Sequence, residues 1–166
     1  MKRIYVLIGP KGGGKSYVGR LLEQELGIQF LSIEEIFIRL QKKGISTSEV
    51  QEKGYQRVEA HVTDILTQSN AVSFEITVLT PASKHLLSRL GLLAEIEMVQ
   101  ILAPLELCLE RIKQRDASRH IDIPEERIME INELSLKQPI HTNLKIDTSQ
   151  LNDEEMLEKF RTAYSN

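Results

Sequence analysis

Cysteine is nearly absent. Cys108 is the only one in 166 residues, which rules out a disulfide within the chain. It lies among Leu105, Leu107 and Leu109 in a stretch of helical spacing, where a buried thiol is expected rather than a reactive one. Long apolar runs are missing as well. None approaches the ~20 residues that a membrane-spanning helix needs. The short apolar run at the N-terminus leads straight into a glycine-rich turn, so it reads as a strand and not as a signal peptide. Positive charge is not in excess: 21 Lys and Arg stand against 24 Asp and Glu, a net of −3. That balance argues against a broad surface for nucleic acid or anionic membrane, and leaves room for a local basic pocket. The four histidines, His61, His85, His120 and His141, lack the spacing of a metal-ligand set. No repeat, linker or low-complexity segment breaks the chain. These absences leave an expectation of a cytoplasmic protein, one domain over residues 1–166, monomer or dimer, without a nucleic-acid or membrane partner.

What is present is a 41% hydrophobic fraction, enough for a sizeable core, and an alternation of strand-like and helix-like segments. Ile4 to Ile8 reads as a buried strand, followed by a helix over Lys15 to Leu26 that stops at Gly27. Ile28 to Leu31 is a second strand. Ser32 then looks like an N-cap, with Glu34 and Glu35 in the first turn of a helix that ends at Gly44. A longer helical region from Ser48, interrupted at Gly54, precedes a third strand, Ala71 to Ile76. Pro81 opens a helix stopped by Gly91, and Glu97 to Leu102 is a fourth strand. Pro104 sits at a helix N1 position, Pro124 starts another helix, Leu144 to Ile146 is a fifth strand, and Asp153 caps a final helix. The pattern predicts an α/β fold with a mainly parallel five-stranded sheet flanked by helices.

One stretch carries chemistry. Gly9-Pro10-Lys11-Gly12-Gly13-Gly14-Lys15-Ser16 fits Gly-x-x-x-x-Gly-Lys-Ser, placed between a strand and a helix as a phosphate-binding loop requires. Glycines let the backbone curl so that amides point inward at phosphate oxygens, and the helix start adds unpaired N–H groups. Lys15 would reach the β- and γ-phosphates, and Ser16 would offer its hydroxyl to Mg²⁺. The rest of the loop, with Tyr17 beside it, would bind the nucleotide.

These residues resemble the small P-loop kinases, most closely the shikimate kinases. Ile4 to Leu31, including Gly19-Arg20 and Leu26-Gly27, is similar to that family's opening. The resemblance returns at Pro104-Leu105-Glu106-Leu107, at Arg115 to Arg119, and at Leu144 to Thr148. It implies a P-loop three-layer sandwich, ATP as donor, a substrate-binding helical region after the second strand, and a lid at about residues 115–123. No Asn/Thr-Lys-x-Asp guanine signature is visible. The family's acceptor anchors do not carry over. Its Asp-x-Asp is met by Ser32 and Glu34, its Phe-Arg-x-x-Glu by Tyr55-Gln56-Arg57-Val58-Glu59, its glycine run by Phe74-Glu75-Ile76-Thr77, and a late Arg by Leu134. Losing these Arg positions removes anchors for a carboxylate and implies a different acceptor.

Phosphoryl transfer needs acids and mobile cations beyond the loop. Glu75, at the carboxyl end of the third strand, faces the metal and γ-phosphate region if that strand lies beside the first. It would then hold a Mg²⁺ water or accept a proton from the acceptor; otherwise it is a structural carboxylate. Glu34 is either a base or acceptor-positioning group, or ordinary helix-start chemistry. Arg115 would lie against the adenine or phosphates, and Arg119 would reach the transferring group; a solvated charge run is the plainer reading. Arg119-x-x-Asp122-x-x-Glu125-x-Arg127 resembles nucleoside monophosphate kinase lids and keeps a nucleotide acceptor open. Arg57 is a candidate grip for an acidic acceptor or a surface residue. The expected function is therefore a kinase acting on a small molecule. The alternative is an ATP-dependent nucleotide switch that binds a protein partner.

Overall fold

The computed structural model describes residues 1–115 and 120–165, apart from the side chain of Thr47. Five parallel strands form one sheet: β1 (Arg3–Ile8), β2 (Gln29–Leu31), β3 (Ala71–Ile76), β4 (Glu95–Leu102) and β5 (Leu144–Asp147), in the order β2-β3-β1-β4-β5. The helices are α1 (Lys15–Leu26), α2 (Ile33–Lys42), α3 (Thr47–Gln68), α4 (Pro81–Leu90), α5 (Leu105–Gln114), α6 (Glu125–Lys137) and α7 (Asp153–Tyr164).

Alternation along β1 divides the core in two. Ile4, Val6 and Ile8 pack with Leu40, Val58, Val62 and Leu86 on one side of the sheet. Tyr5 and Leu7 pack with Val18, Leu22, Met156 and Phe160 on the other. A strand buried on both faces reads as an unbroken apolar run, which is what residues 4–8 are. Parallel pairing aligns Leu7 with Glu75 and Val99, so the carboxyl ends of β3, β1 and β4 lie side by side. The order reverses around β1, which opens a crevice where ligands bind in such sheets.

The structure departs from the sequence reading at several places. Gly54 does not interrupt α3, which runs unbroken over 22 residues. A Cβ at Gly54 would lie 2.0 Å from Cε1 of Phe37, so the glycine is there to let the Phe37 ring close against α3. Pro104 is an extended N-cap with ψ of 141°, one residue ahead of the predicted N1 position, and Pro124, read as the start of a helix, is likewise an extended N-cap with ψ of 143°. Asn152, not Asp153, caps α7: its side chain accepts from the amide of Glu155, whose carboxylate accepts from the amide of Asn152. β4 begins at Glu95 rather than Glu97, because the Glu95 amide bonds the Lys2 carbonyl alongside β1. Cys108 is fully buried, 3.8 Å from the Ala103 carbonyl. Among the described residues no helix is long and apolar enough to cross a membrane.

Candidate active site

The glycine-rich loop links β1 to α1. Gly12 and Gly14 take φ of +76° and +97°, a left-handed backbone that side chains resist. The loop carbonyls find donors. Lys15 Nζ donates to the carbonyls of Gly9 and Pro10 at 2.9 and 2.8 Å. Asn132 on α6 holds Lys11 from both sides, accepting from its amide at 2.7 Å and donating to its carbonyl at 2.9 Å. Arg111 on α5 donates to the Gly12 carbonyl at 3.4 Å, and the Thr148 hydroxyl donates to that of Gly13 at 2.6 Å. Arg111 also holds Thr148, through its hydroxyl at 2.9 Å and its carbonyl at 3.3 Å. With these carbonyls held by donors and the N-terminus of α1 beginning at Lys15, the loop has the backbone of an anion-gripping turn.

A cavity of about 520 Å³ opens in front of the loop, lined by Lys11, Gly12, Lys15 and Ser16 on one side and by Glu34, Glu75, Thr77 and Arg115 on others. Pairing of β3 with β1 brings Glu75 there. Its Oε1 accepts from the Ser32 hydroxyl at 3.2 Å and from the Glu34 amide at 3.4 Å. Its Oε2 is buried and, among the described residues, has no hydrogen-bond partner. Burial raises the proton affinity of Glu75, to a pKa of about 7, against the opposing pull of the Lys15 charge. Burial, with the neighbouring Lys11 charge, lowers that of Lys15.

Glu34 behaves in the opposite way. Burial pushes its proton affinity up, but the Lys11 charge and hydrogen bonds from His120 and Ile121 bring the net below the ordinary carboxylate value. Its Oε2 lies 3.1 Å from His120 Nδ1, its Oε1 accepts from the Ile121 amide at 3.2 Å, and Lys11 Nζ lies 3.7 Å away. Ser32 caps α2, accepting from the Glu35 amide, and also serves Glu75.

The structure thus brings Lys11, Gly12, Lys15, Ser16, Glu34, Glu75 and Arg115 into one cavity. Gly9, Pro10 and Gly13 shape the loop behind it. Gly14 and Tyr17 line a neighbouring cavity of about 400 Å³ with Arg111, Thr148 and Met156. The Tyr17 hydroxyl donates to Asp153 at 2.7 Å. Arg57 is exposed and lines neither cavity, whereas Tyr55 and Leu134 line the first. Arg119, with the rest of 116–119, lies outside the described residues. The sequence reading missed Asn132 and Arg111. Asn132 is 1% exposed on a helix otherwise read for its leucines and isoleucines, and a buried amide on such a face signals a partner elsewhere.

Residues 4–135 match the family described as an AAA domain. The chain belongs to the small P-loop kinases of the shikimate kinase-like group. This P-loop kinase chain is 33% identical over 118 residues to a shikimate kinase of Geobacter sulfurreducens, an alignment covering 67% of the chain and 61% of that protein. It is 30% identical over 157 residues to a shikimate kinase of Acinetobacter baylyi, covering 87% of the chain and 82% of that protein. The chain thus spans about three fifths of the length of the Geobacter relative. The solved shikimate kinase of Acinetobacter baumannii in complex with shikimate superposes with a TM-score of 0.60 at 24% identity, covering 100% of this chain and 94% of that one, a likeness of fold.

Proposed function

We propose that this P-loop kinase chain transfers the γ-phosphoryl of Mg–ATP to a hydroxyl of a small-molecule acceptor. The observation that carries the reading is the buried Oε2 of Glu75, without a hydrogen-bond partner among the described residues, in the cavity that Lys15 and Ser16 also line. An orphaned carboxylate oxygen costs free energy unless a ligand uses it. In this reading the loop amides and Lys15 hold the triphosphate tail. Ser16 is the hydroxyl that would hold Mg²⁺, and Glu75 is the further oxygen donor for the metal's water shell, so the residues present fit the ion. When bound, Mg²⁺ neutralises charge on the phosphate oxygens. Lys15 leaves the Gly9 and Pro10 carbonyls to follow the γ-phosphoryl, and Arg115 screens the same charge.

The acceptor oxygen attacks phosphorus, the bond to the β–γ bridging oxygen breaks, ADP departs, and the hydroxyl proton passes to Glu75. Glu75 suits the proton role better than Glu34 does. Its proton affinity is raised, and it has an oxygen to spare. Glu34 is engaged by His120, Ile121 and Lys11, which makes it a positioning residue that ties the lid segment to α2. Arg119 is proposed as the lid cation on the transferring group; Arg119→Ala should lower kcat with ATP binding retained. ATP as donor fits the cytoplasmic placement read from the sequence.

The test is ADP release with a panel of acceptors. A kinase shows acceptor-dependent ADP that Glu75→Gln cuts at least tenfold while leaving ATP affinity intact. Slow ADP release indifferent to every acceptor would replace this reading with that of a nucleotide switch.

A further inference from the structure

Helix α6 ties together two segments that are far apart in the chain. Asn132 and Ser135, each 1% exposed, and Gln138, which caps the helix, recur every third residue and so follow one side of it. Buried polar side chains need partners, and all three of these find theirs in backbone. Asn132 takes the phosphate loop, accepting from the Lys11 amide at 2.7 Å and donating to its carbonyl at 2.9 Å. Ser135 and Gln138 take the segment that follows β3. The Ser135 hydroxyl donates to the Thr77 carbonyl at 2.7 Å, and Gln138 Nε2 donates to the same carbonyl at 3.0 Å. The Leu79 amide donates to Gln138 Oε1 at 2.9 Å.

Both segments are walls of one cavity. Lys11 and Gly12 line its phosphate end, and Thr77, Val78 and Thr80 line it on the side of β3. The sheet joins the roots of the two, since the Gly9 amide donates to the Ile76 carbonyl at 3.2 Å. Past those roots both segments leave the sheet, and α6 is bonded to each. Asn132 and Gln138 use the same device: a side-chain amide spends its oxygen on a backbone N–H and its nitrogen on a backbone carbonyl. One orientation of each amide satisfies both bonds, so each grip fixes direction as well as distance. Asn132, Ser135 and Gln138 line neither cavity, so they act through the backbone that they hold.

We infer that Gln138, with Ser135, is a positioning residue for the phosphate loop: it fixes the segment 77–79 to α6, α6 fixes Lys11 through Asn132, and the two walls of the cavity move as one. The inference rests on the kinase reading of the loop. Coupling between two sites is reciprocal. Cutting the grip on Thr77 and Leu79 therefore loosens the phosphate loop, although the hydrogen bonds of Gln138 go to the other wall. The first test is calorimetric titration of a non-hydrolysable Mg–ATP analogue into the full chain, Gln138→Ala, Asn132→Ala and the double variant. Gln138→Ala should weaken binding about three- to tenfold. Added to Asn132→Ala it should cost less than about a further twofold, because the connection is already cut. Unchanged affinity in Gln138→Ala, or two losses that multiply in full, overturns the inference and leaves the kinase reading standing.

The second test needs no nucleotide. Amide hydrogen exchange is followed in the free protein at Leu79 in Asn132→Ala and at Lys11 in Gln138→Ala. In each case the variant leaves the reporter amide's own partner in place. Amides of β1 report global opening, and each reporter should exchange about fivefold or more faster than the change in β1 accounts for. Reporter rates that merely follow β1 overturn the inference. If the parent chain binds no Mg–ATP analogue, the kinase reading falls and the exchange rates decide the inference by themselves. Where Asn132→Ala is unfolded or binds too weakly to titrate, Gln138→Ala, changed at a half-buried helix cap, carries both tests alone.

Discussion

Replacing Glu75 by Gln should make the protein more stable and less active, and the gain in stability should depend on pH. Burial raises the Glu75 carboxyl from its ordinary value of 4.5 to about 7. Each tenfold change in proton affinity is worth about 1.4 kcal/mol, so burying the ionised form costs on the order of 3 kcal/mol once pH exceeds both values. The sign follows from the direction of the shift. A folded value above the unfolded one means that the protonated group favours the fold below the ordinary value. That contribution is lost as pH rises through about 7. Gln keeps Oε1 for the Ser32 hydroxyl and the Glu34 amide and carries no charge at any pH. Its NH₂ replaces an oxygen that has no partner among the described residues, so part of the gain is offset by an unsatisfied donor. The net expectation is a gain of about 1–3 kcal/mol near pH 8, or roughly 3–10 °C in Tm for a chain of this size, and little or none near pH 5. Thermal melts of both proteins at the two pH values measure it. A Glu75→Gln protein that is less stable than the parent, and more so near pH 8 than near pH 5, would refute the reasoning. The Lys15 charge would then outweigh burial, and Glu75 would be a stabilising ion-pair partner rather than a strained functional acid.

Gly54→Ala should drive the Phe37 ring into the cavity, raising the acceptor KM about tenfold or more while the ATP Kd stays within about twofold; steady-state kinetics beside nucleotide titration checks the split. Asn132→Ala strips both the amide and the carbonyl of Lys11 of their partner, and should cost about 1–3 kcal/mol in chemical denaturation together with weaker ATP binding. If Glu75 takes the acceptor proton, kcat/KM should rise with pH through a limb near 7, the value to which burial moves that carboxyl, and Glu75→Gln should lack the limb in the same pH–rate profile.

The phosphate loop was legible because its parts are contiguous: eight residues between a strand and a helix, each with a local reason for its type. The helix stop at Gly27, the cap at Ser32 and the place of Glu75 near the end of β3 are local features too. Once the third strand was set beside the first, Glu75 followed. What escaped was non-local. Gly54 looks like a break in a helix, because helix propensity penalises it and nothing nearby reveals that Phe37, 17 positions back, needs the space. Asn132 and Arg111 act on the loop across more than 90 residues of chain. Asn152 was within reach, since Asn152-Asp153-Glu154-Glu155 has the spacing of a capping box, yet the adjacent Asp153 competes for the same role. The acceptor wall was legible only by subtraction. Leu134 stands where an arginine was expected, and the fold turns it toward the cavity that Tyr55 also lines, while Gln56, the other arginine position, and Arg57 beside it are exposed and line no part of that cavity.

The most direct check is a calorimetric titration of Mg–ATP into the folded chain and into Lys15→Ala. The account predicts saturable heat for the parent chain and its loss in the variant, with both circular dichroism spectra alike. No saturable heat at millimolar nucleotide, or equal affinity for the two proteins, would contradict it.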